Sequence, residues 1–221
     1  MSRSAGRWAA AFSAWRSFGN AEIEARAWAL ARMANAPLAG LDEDLLRMKG
    51  RILSVGCGFG VVERYMALRN PDVEIVGFEL EADRVAAAAA TQAAAPRVTV
   101  RRADVTRLGD VGAFDAALAM DVLHHLEPDG QTRLVEALAA LVRPGGDVVV
   151  KDIATTPRWQ HSFNALHDRL AVGDDTHCRT PQAMSAILAD AGLQVEGWRR
   201  IARFSPYPHY VVGARVPAAG G

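Results

Sequence analysis

The stretch "ILSVGCGFGVVE", residues 52–63, decides how this chain is read. Apolar-leaning residues run into Gly56, Gly58 and Gly60, and a helix-like pattern begins at Val61. Each glycine weakens regular structure by roughly 0.5–1 kcal/mol relative to alanine. Three on alternate positions therefore mark a backbone that something must approach closely. A sharp turn from a buried strand into a helix points amides and the positive helix end at a ligand. A dinucleotide fingerprint would place its third glycine at 61, where this chain carries Val61.

Working outward, the chain alternates from residue 51 onward. Strand candidates are "RILSV" (51–55), "VEIVGFE" (73–79), "RVTVRRAD" (97–104), "FDAALAM" (114–120) and "DVVVKDI" (147–153). Helical stretches at 61–69, 81–94 and 130–142 lie between them, and "RPGG" (143–146) reads as a turn. Such alternation predicts a parallel sheet covered on both faces. A further helix is expected at 180–191, with Thr180 as cap and Pro181 in its first turn. Two late strands follow, near 194–203 and 209–216.

Composition bounds the rest. The chain has 221 residues, half of them hydrophobic, with Lys+Arg and Asp+Glu both 25. A zero formal charge argues against broad nucleic-acid binding. Two cysteines, Cys57 and Cys178, supply neither a disulfide framework nor zinc spacing, and a reducing cytoplasm is expected. No apolar run reaches the roughly 18–20 residues that span a bilayer. The first twenty residues are broken by Arg16 and too rich in Trp to read as a secretory signal.

Carboxylates stand at the ends of the later strands. Glu79 lies nineteen residues past Gly60 and ends the second strand candidate, where it can accept hydrogen bonds from both ribose hydroxyls. Asp104 ends the third, where it can accept from an adenine amino group. The fourth runs into "MDVLHHLEPD".

The ordered set "ILSVGCGFG", "GFE", "ADV", "FDAALAMDVLHHL" and "LVRPGGDVVV" resembles the class I S-adenosylmethionine-dependent methyltransferases. The resemblance covers residues 51–153, about half the chain. It implies an α/β fold: a three-layer, doubly wound, Rossmann-like sheet, mostly parallel with an antiparallel last strand, plus N-terminal helices. It implies S-adenosyl-L-methionine as cofactor, with Gly56, Gly58 and Gly60 lining its methionine and ribose side. Glu79 would bind the ribose hydroxyls, Leu80 would pack on the adenine, Asp104 would hold the adenine amino group with Val105 beside it, and Asp121 would lie near the sulfonium. One departure stands out. Many members carry an acidic residue two positions before the first glycine, which orients the methionine amino end; here that residue is Ser54.

The acceptor side is less determined. A hydroxyl acceptor gains from a general base near neutrality, usually histidine. "DVLHHLEPD" resembles the histidine stretch of plant phenolic O-methyltransferases, which implies His124 as base and His125 as its neighbour; packing and capping are the competing roles. His161, Asn164 and Asp168 share one helix face, bordered by His167, in a segment that reads either as a substrate lid or as a solvated amphipathic helix. Asp121 and Asp152 sit where catechol-type enzymes hold a divalent ion, but Ile153 replaces the expected Asn, and two carboxylates are too few ligands. No metal is expected. Tyr207, His209 and Tyr210 either line the acceptor pocket or pack at a rigid Pro-Tyr-Pro turn.

Trp8, Phe12 and Trp15 fall at i, i+4 and i+7, flanked by Arg3, Arg7 and Arg16. A lid over the cleft is the favoured reading. A peripheral membrane contact at lipid headgroups and a homodimer contact remain open. The expected organisation is a helical cap at 1–49, a methyltransferase domain at 50–217 with a lid insertion at 154–179, and a frayed tail at 218–221. The expected activity is methyl transfer to an oxygen or carbon of a small, partly apolar metabolite of lipid, quinone-like or polyketide-like type. The competing readings are a non-catalytic regulatory protein that binds S-adenosylmethionine or S-adenosylhomocysteine, and a metal-assisted O-methyltransferase.

Overall fold

Seven strands form where the apolar runs stand in the sequence: β1 Gly50–Val55, β2 Val73–Glu79, β3 Val98–Arg102, β4 Phe114–Met120, β5 Val142–Ile153, β6 Gln194–Arg200 and β7 His209–Arg215. Among the described residues the helices are α1 Arg7–Arg16, α2 Leu38–Arg47, α3 Val61–Arg69, α4 Ala82–Ala90, α5 Pro128–Leu141 and α6 Pro181–Asp190. This computed structural model describes residues 6–19, 26–27, 29–30, 32, 37–108, 111–157, 176–201 and 206–218. The strands form one mixed sheet in the order β3-β2-β1-β4-β5-β7-β6. The chain divides into two compact units, Met1–Ala116 and Ala117–Gly221.

In the first unit β1, β2 and β3 pair in parallel, with Ser54 opposite Gly77 and Glu79 opposite Arg102. Parallel strands covered on both faces need apolar side chains on both, and Ile52, Leu53, Ile75, Val76 and Phe78 are buried accordingly. Gly60, at φ 74°, turns the chain into α3. A methyl group on Gly77 would meet Cys57 Sγ at 2.5 Å, so this glycine is what lets the turn lie against β2.

The aromatic stripe of α1 is not what packs inward. Ala10 and Ala14 are buried instead, and Trp8 and Phe12 are 84% and 55% exposed. Trp15 packs against the cluster of Phe18, Ala29, Phe59 and Val61. Small residues let α1 approach closely, which turns the larger rings outward. Asp42 on α2 then fastens this corner, accepting from Arg7 Nε at 2.7 Å, Arg69 at 3.1 Å and the Tyr65 hydroxyl at 2.5 Å.

In the second unit β7 runs antiparallel to both β5 and β6. The expected turn at residues 143–146 instead belongs to β5, with a left-handed backbone at Gly145 (φ 81°). Gly145 N donates to Val216 O at 2.8 Å and Val216 N to Gly146 O at 2.9 Å, which carries the extended pairing past the end of β7. Thr180 caps α6, accepting from Ala183 N at 3.1 Å, with Pro181 in the first turn as its sequence predicts.

Candidate active site

Two sets of polar residues stand at strand ends, one in each unit. In the first, the glycine turn has a left-handed backbone at Gly56 (φ 63°), Gly58 (φ 56°) and Gly60 (φ 74°), a region costly for side chains with a Cβ. Gly56 N donates to Phe78 O at 2.9 Å, which ties the turn to β2. Gly58 N donates to Glu79 Oε2 at 2.8 Å, while Glu79 Oε1 accepts from Leu80 N at 2.8 Å and Glu81 N at 3.0 Å. The buried Glu79 carboxylate thus gathers three amides and fixes the turn against the end of β2. A carboxylate offers about four acceptor positions, so it can still accept from a ligand hydroxyl.

Leu80 beside it is 58% exposed, an unusual setting for a leucine and a suitable one for a planar ring to cover. Asp104 follows β3 and caps the short 3-10 turn Val105–Arg107, accepting from Thr106 N at 2.9 Å and Thr106 Oγ1 at 2.7 Å. Val105 is buried. Gly56, Gly58, Gly60, Glu79, Leu80, Asp104 and Val105 therefore all lie at the carboxyl ends of β1, β2 and β3. The Cys57 thiol is pushed well up by burial and by the charges of Glu63 and Glu79, so it stays protonated and inert.

In the second unit Asp121 follows β4 with φ 53°, a strained value outside glycine. Its N–H donates to Lys151 O at 2.9 Å, and its carboxylate pairs with the fully buried Lys151 ammonium. Asp152 next door is bound to His124: Oδ1 meets His124 Nδ1, Oδ2 accepts from His124 N at 3.1 Å, and Oδ1 also accepts from Ile153 N at 2.9 Å. His124 and Asp152 are 4% and 2% exposed. The His125 ring packs against His124, tilted by 42°, with centroids 4.1 Å apart.

Tyr210 completes this set. It is fully buried, and its hydroxyl has no hydrogen-bond partner among the described residues. Burial, the largest cause, and the charge of Asp152 push the phenol well up, so it stays neutral. Gln131 secures the neighbouring chain, donating to Leu126 O at 3.0 Å and His177 O at 2.8 Å. His161 and His167 lie outside the described residues. Among the described residues no group of three or more His, Cys, Asp or Glu could hold a metal ion, and no helix is long and apolar enough to cross a membrane.

Sequence reading found His124 but not its partner. Asp152 entered only as a candidate metal ligand, and Lys151 not at all. The one available signal was alternation along "VVVKDI", which puts a lysine and an aspartate where a fully buried strand should be apolar.

A glycine turn after β1, a carboxylate closing β2 and an antiparallel β7 inserted beside β5 define the class I S-adenosylmethionine-dependent methyltransferase fold. A family model described as a methyltransferase domain matches residues 23–197, and the chain belongs to that family. A ubiquinone biosynthesis O-methyltransferase of Xanthomonas axonopodis pv. citri is 29% identical over 178 residues, covering 70% of each chain. One from Xanthomonas oryzae pv. oryzae is 32% identical over the same length and the same 70% coverage. Among solved structures, an O-methyltransferase family protein from Burkholderia thailandensis superposes with a TM-score of 0.73 at 20% identity, covering 92% of this chain and 62% of that one. The protein is an S-adenosylmethionine-dependent methyltransferase.

Proposed function

We propose that this methyltransferase alkylates an oxygen, or an activated carbon, of a small and partly apolar metabolite, with His124 as the general base. The His124–Asp152 pair carries the reading. With Nδ1–H donated to the carboxylate, the imidazole keeps its lone pair on Nε2, the atom that would receive a proton from a hydroxyl acceptor. Asp152 is a positioning residue: it fixes the ring's tautomer and stabilises the imidazolium that forms. His125 packs against that ring at a tilt of 42°. The names of the Xanthomonas relatives, O-methyltransferases of ubiquinone biosynthesis, support a quinone-like or phenolic acceptor.

S-adenosyl-L-methionine supplies an electrophilic methyl on a sulfonium that carries its own leaving group. The protein's task is then to orient and to take a proton. The glycine turn would allow backbone approach, Glu79 would accept from the ribose hydroxyls, Leu80 and Val105 would cover the adenine faces, and Asp104 would accept from its amino group. Asp121 is held by Lys151, which keeps a carboxylate at the end of β4 in one orientation.

The test is His124→Gln. Turnover on a panel of phenolic and hydroxyquinone acceptors is expected to fall about 100-fold or more, within the usual range for a lost general base. Affinity for S-adenosylhomocysteine is expected to stay within twofold. An unchanged turnover number on every acceptor refutes the assignment.

A further inference from the structure

Glu63 is a carboxylate that the assignments above leave without a purpose. It stands in the first turn of α3, three residues after Gly60, and is 3% exposed. Its Oε1 accepts from Ser54 Oγ at 2.6 Å, and Ser54 is itself 1% exposed on β1. Its Oε2 is buried with no hydrogen-bond partner among the described residues. Burying such a group costs several kcal/mol unless its oxygens are satisfied.

The surrounding charges do not account for it. Arg64, on the same helix, gives its guanidinium to Ser17 Oγ, Ala88 O and Thr91, at 2.6 to 3.4 Å. Arg32 and Arg64 both act on Glu63 through their charge, and neither gives Oε2 a hydrogen bond. Cys57 and Glu79 are the other titratable groups tied to this spot, and both are acidic in character. Burial, the largest cause, raises the Glu63 carboxyl above its usual range, which marks the ionised form as one that lacks a partner.

Ser54 and Glu63 also explain one another. Ser54 occupies the position where the resemblance leads one to expect an acid. Two carboxylates with the Ser54–Glu63 spacing would repel strongly, whereas a hydroxyl donates to Glu63 and keeps an acceptor lone pair of its own. The acid is thus present, but on the helix rather than on the strand, at the foot of the same glycine turn.

We propose that Ser54 and Glu63 form the ammonium subsite for the methionine end of S-adenosylmethionine, with Glu63 Oε2 as the acceptor. The proposal rests on the donor-site reading above. A cationic N–H is what a buried carboxylate with one unsatisfied oxygen lacks, and charge-assisted bonds of this kind are about twice as strong as neutral ones. The helix N-terminus keeps the carboxylate ionised when the cation arrives.

Calorimetric titration with two ligands tests it: S-adenosylhomocysteine, and 5′-methylthioadenosine, which shares the nucleoside and thioether but lacks the amino-acid end. Glu63→Gln is expected to weaken S-adenosylhomocysteine at least tenfold, about 1.4 kcal/mol, and to leave 5′-methylthioadenosine within twofold. A double variant, Glu63→Ala with Ser54→Asp, returns the carboxylate to the strand and is expected to recover most of the preference lost in Glu63→Ala. Equal weakening of both ligands in Glu63→Gln overturns the proposal in favour of a structural role, and so does an unchanged affinity for both. A double variant no more selective than Glu63→Ala also overturns it. Failure of the wild-type protein to bind either ligand is a different result, which removes the donor-site reading itself.

Discussion

Asp152→Asn is the sharpest probe of the base. The native carboxylate receives three N–H groups: Oδ1 takes His124 Nδ1 and Ile153 N, and Oδ2 takes His124 N. Asparagine keeps the shape but offers only one acceptor oxygen. With that oxygen in the Oδ1 position, the amide NH2 confronts the His124 backbone N–H, and two buried donors face each other. With the amide flipped, the NH2 confronts Nδ1, and the imidazole must move its proton to Nε2 and lose the basic lone pair there. The first arrangement costs about 1–3 kcal/mol of stability for an unsatisfied buried group. The second removes general-base catalysis, commonly about 100-fold or more. The first also lowers turnover, because a neutral amide no longer stabilises the imidazolium that forms when His124 takes the proton, and neither touches the residues assigned to the donor. Initial rates at saturating S-adenosylmethionine, read as S-adenosylhomocysteine released, should fall at least 30-fold, with the KM for the donor unchanged. A folded Asp152→Asn protein that keeps its turnover within twofold refutes the reasoning.

Other perturbations follow from the same geometry. Glu79→Ala strips the acceptor from Gly58 N, Leu80 N and Glu81 N, and calorimetry should show S-adenosylhomocysteine binding at least tenfold weaker, about 1.4 kcal/mol. Gly60→Ala forces a side chain into φ 74° with its Cβ 3.1 Å from Val100 Cγ2; thermal unfolding should report a loss of about 1–2 kcal/mol. Asp42→Asn should cost about 2–3 kcal/mol, since it weakens the bonds from Tyr65 and Arg69 to a buried charge. Burial works against the Asp42 charge, but Tyr65, Arg7 and Arg69 outweigh it and hold the carboxyl below its usual value. Its contribution is therefore complete above the unfolded pKa near 4 and disappears as pH falls through the lower folded value. Acid titration of stability should show that slope in the wild type and a flatter one in Asp42→Asn.

Much of the fold was legible because buried parallel strands leave little choice of residue. "VEIVGFE" and "FDAALAM" are continuous apolar runs, and they form β2 and β4 with the boundaries their sequence predicts. Periodicity placed α1, but spacing identifies which residues share a face and not which face is buried. Ala10 and Ala14 share a face as well as Trp8 and Phe12 do, and the tighter approach that alanine permits decided the orientation. The "RPGG" stretch was misread for a related reason: its glycines suit a turn, but Gly145 and Gly146 are engaged by Val216, more than seventy residues away.

The site was harder to read than the fold, since composition reveals a carboxylate but not the donors it collects. Glu79, Asp104 and Asp152 each stand at the end of a strand, and each accepts from backbone amides of the segment that follows or faces it. These bonds give the loops their shape before any ligand arrives, so binding need not order them. They also divide the carboxylates by what remains to be satisfied. Glu79 has three amides and capacity for a hydroxyl, whereas Asp152 is filled by His124 and Ile153 and acts only through the imidazole. Glu63 differs from both, with one oxygen bound to a side-chain hydroxyl and the other unsatisfied. A carboxylate saturated by amides shapes a loop, and one left partly unsatisfied in the interior awaits a cation. That difference separates the positioning residues of this protein from those expected to touch the donor.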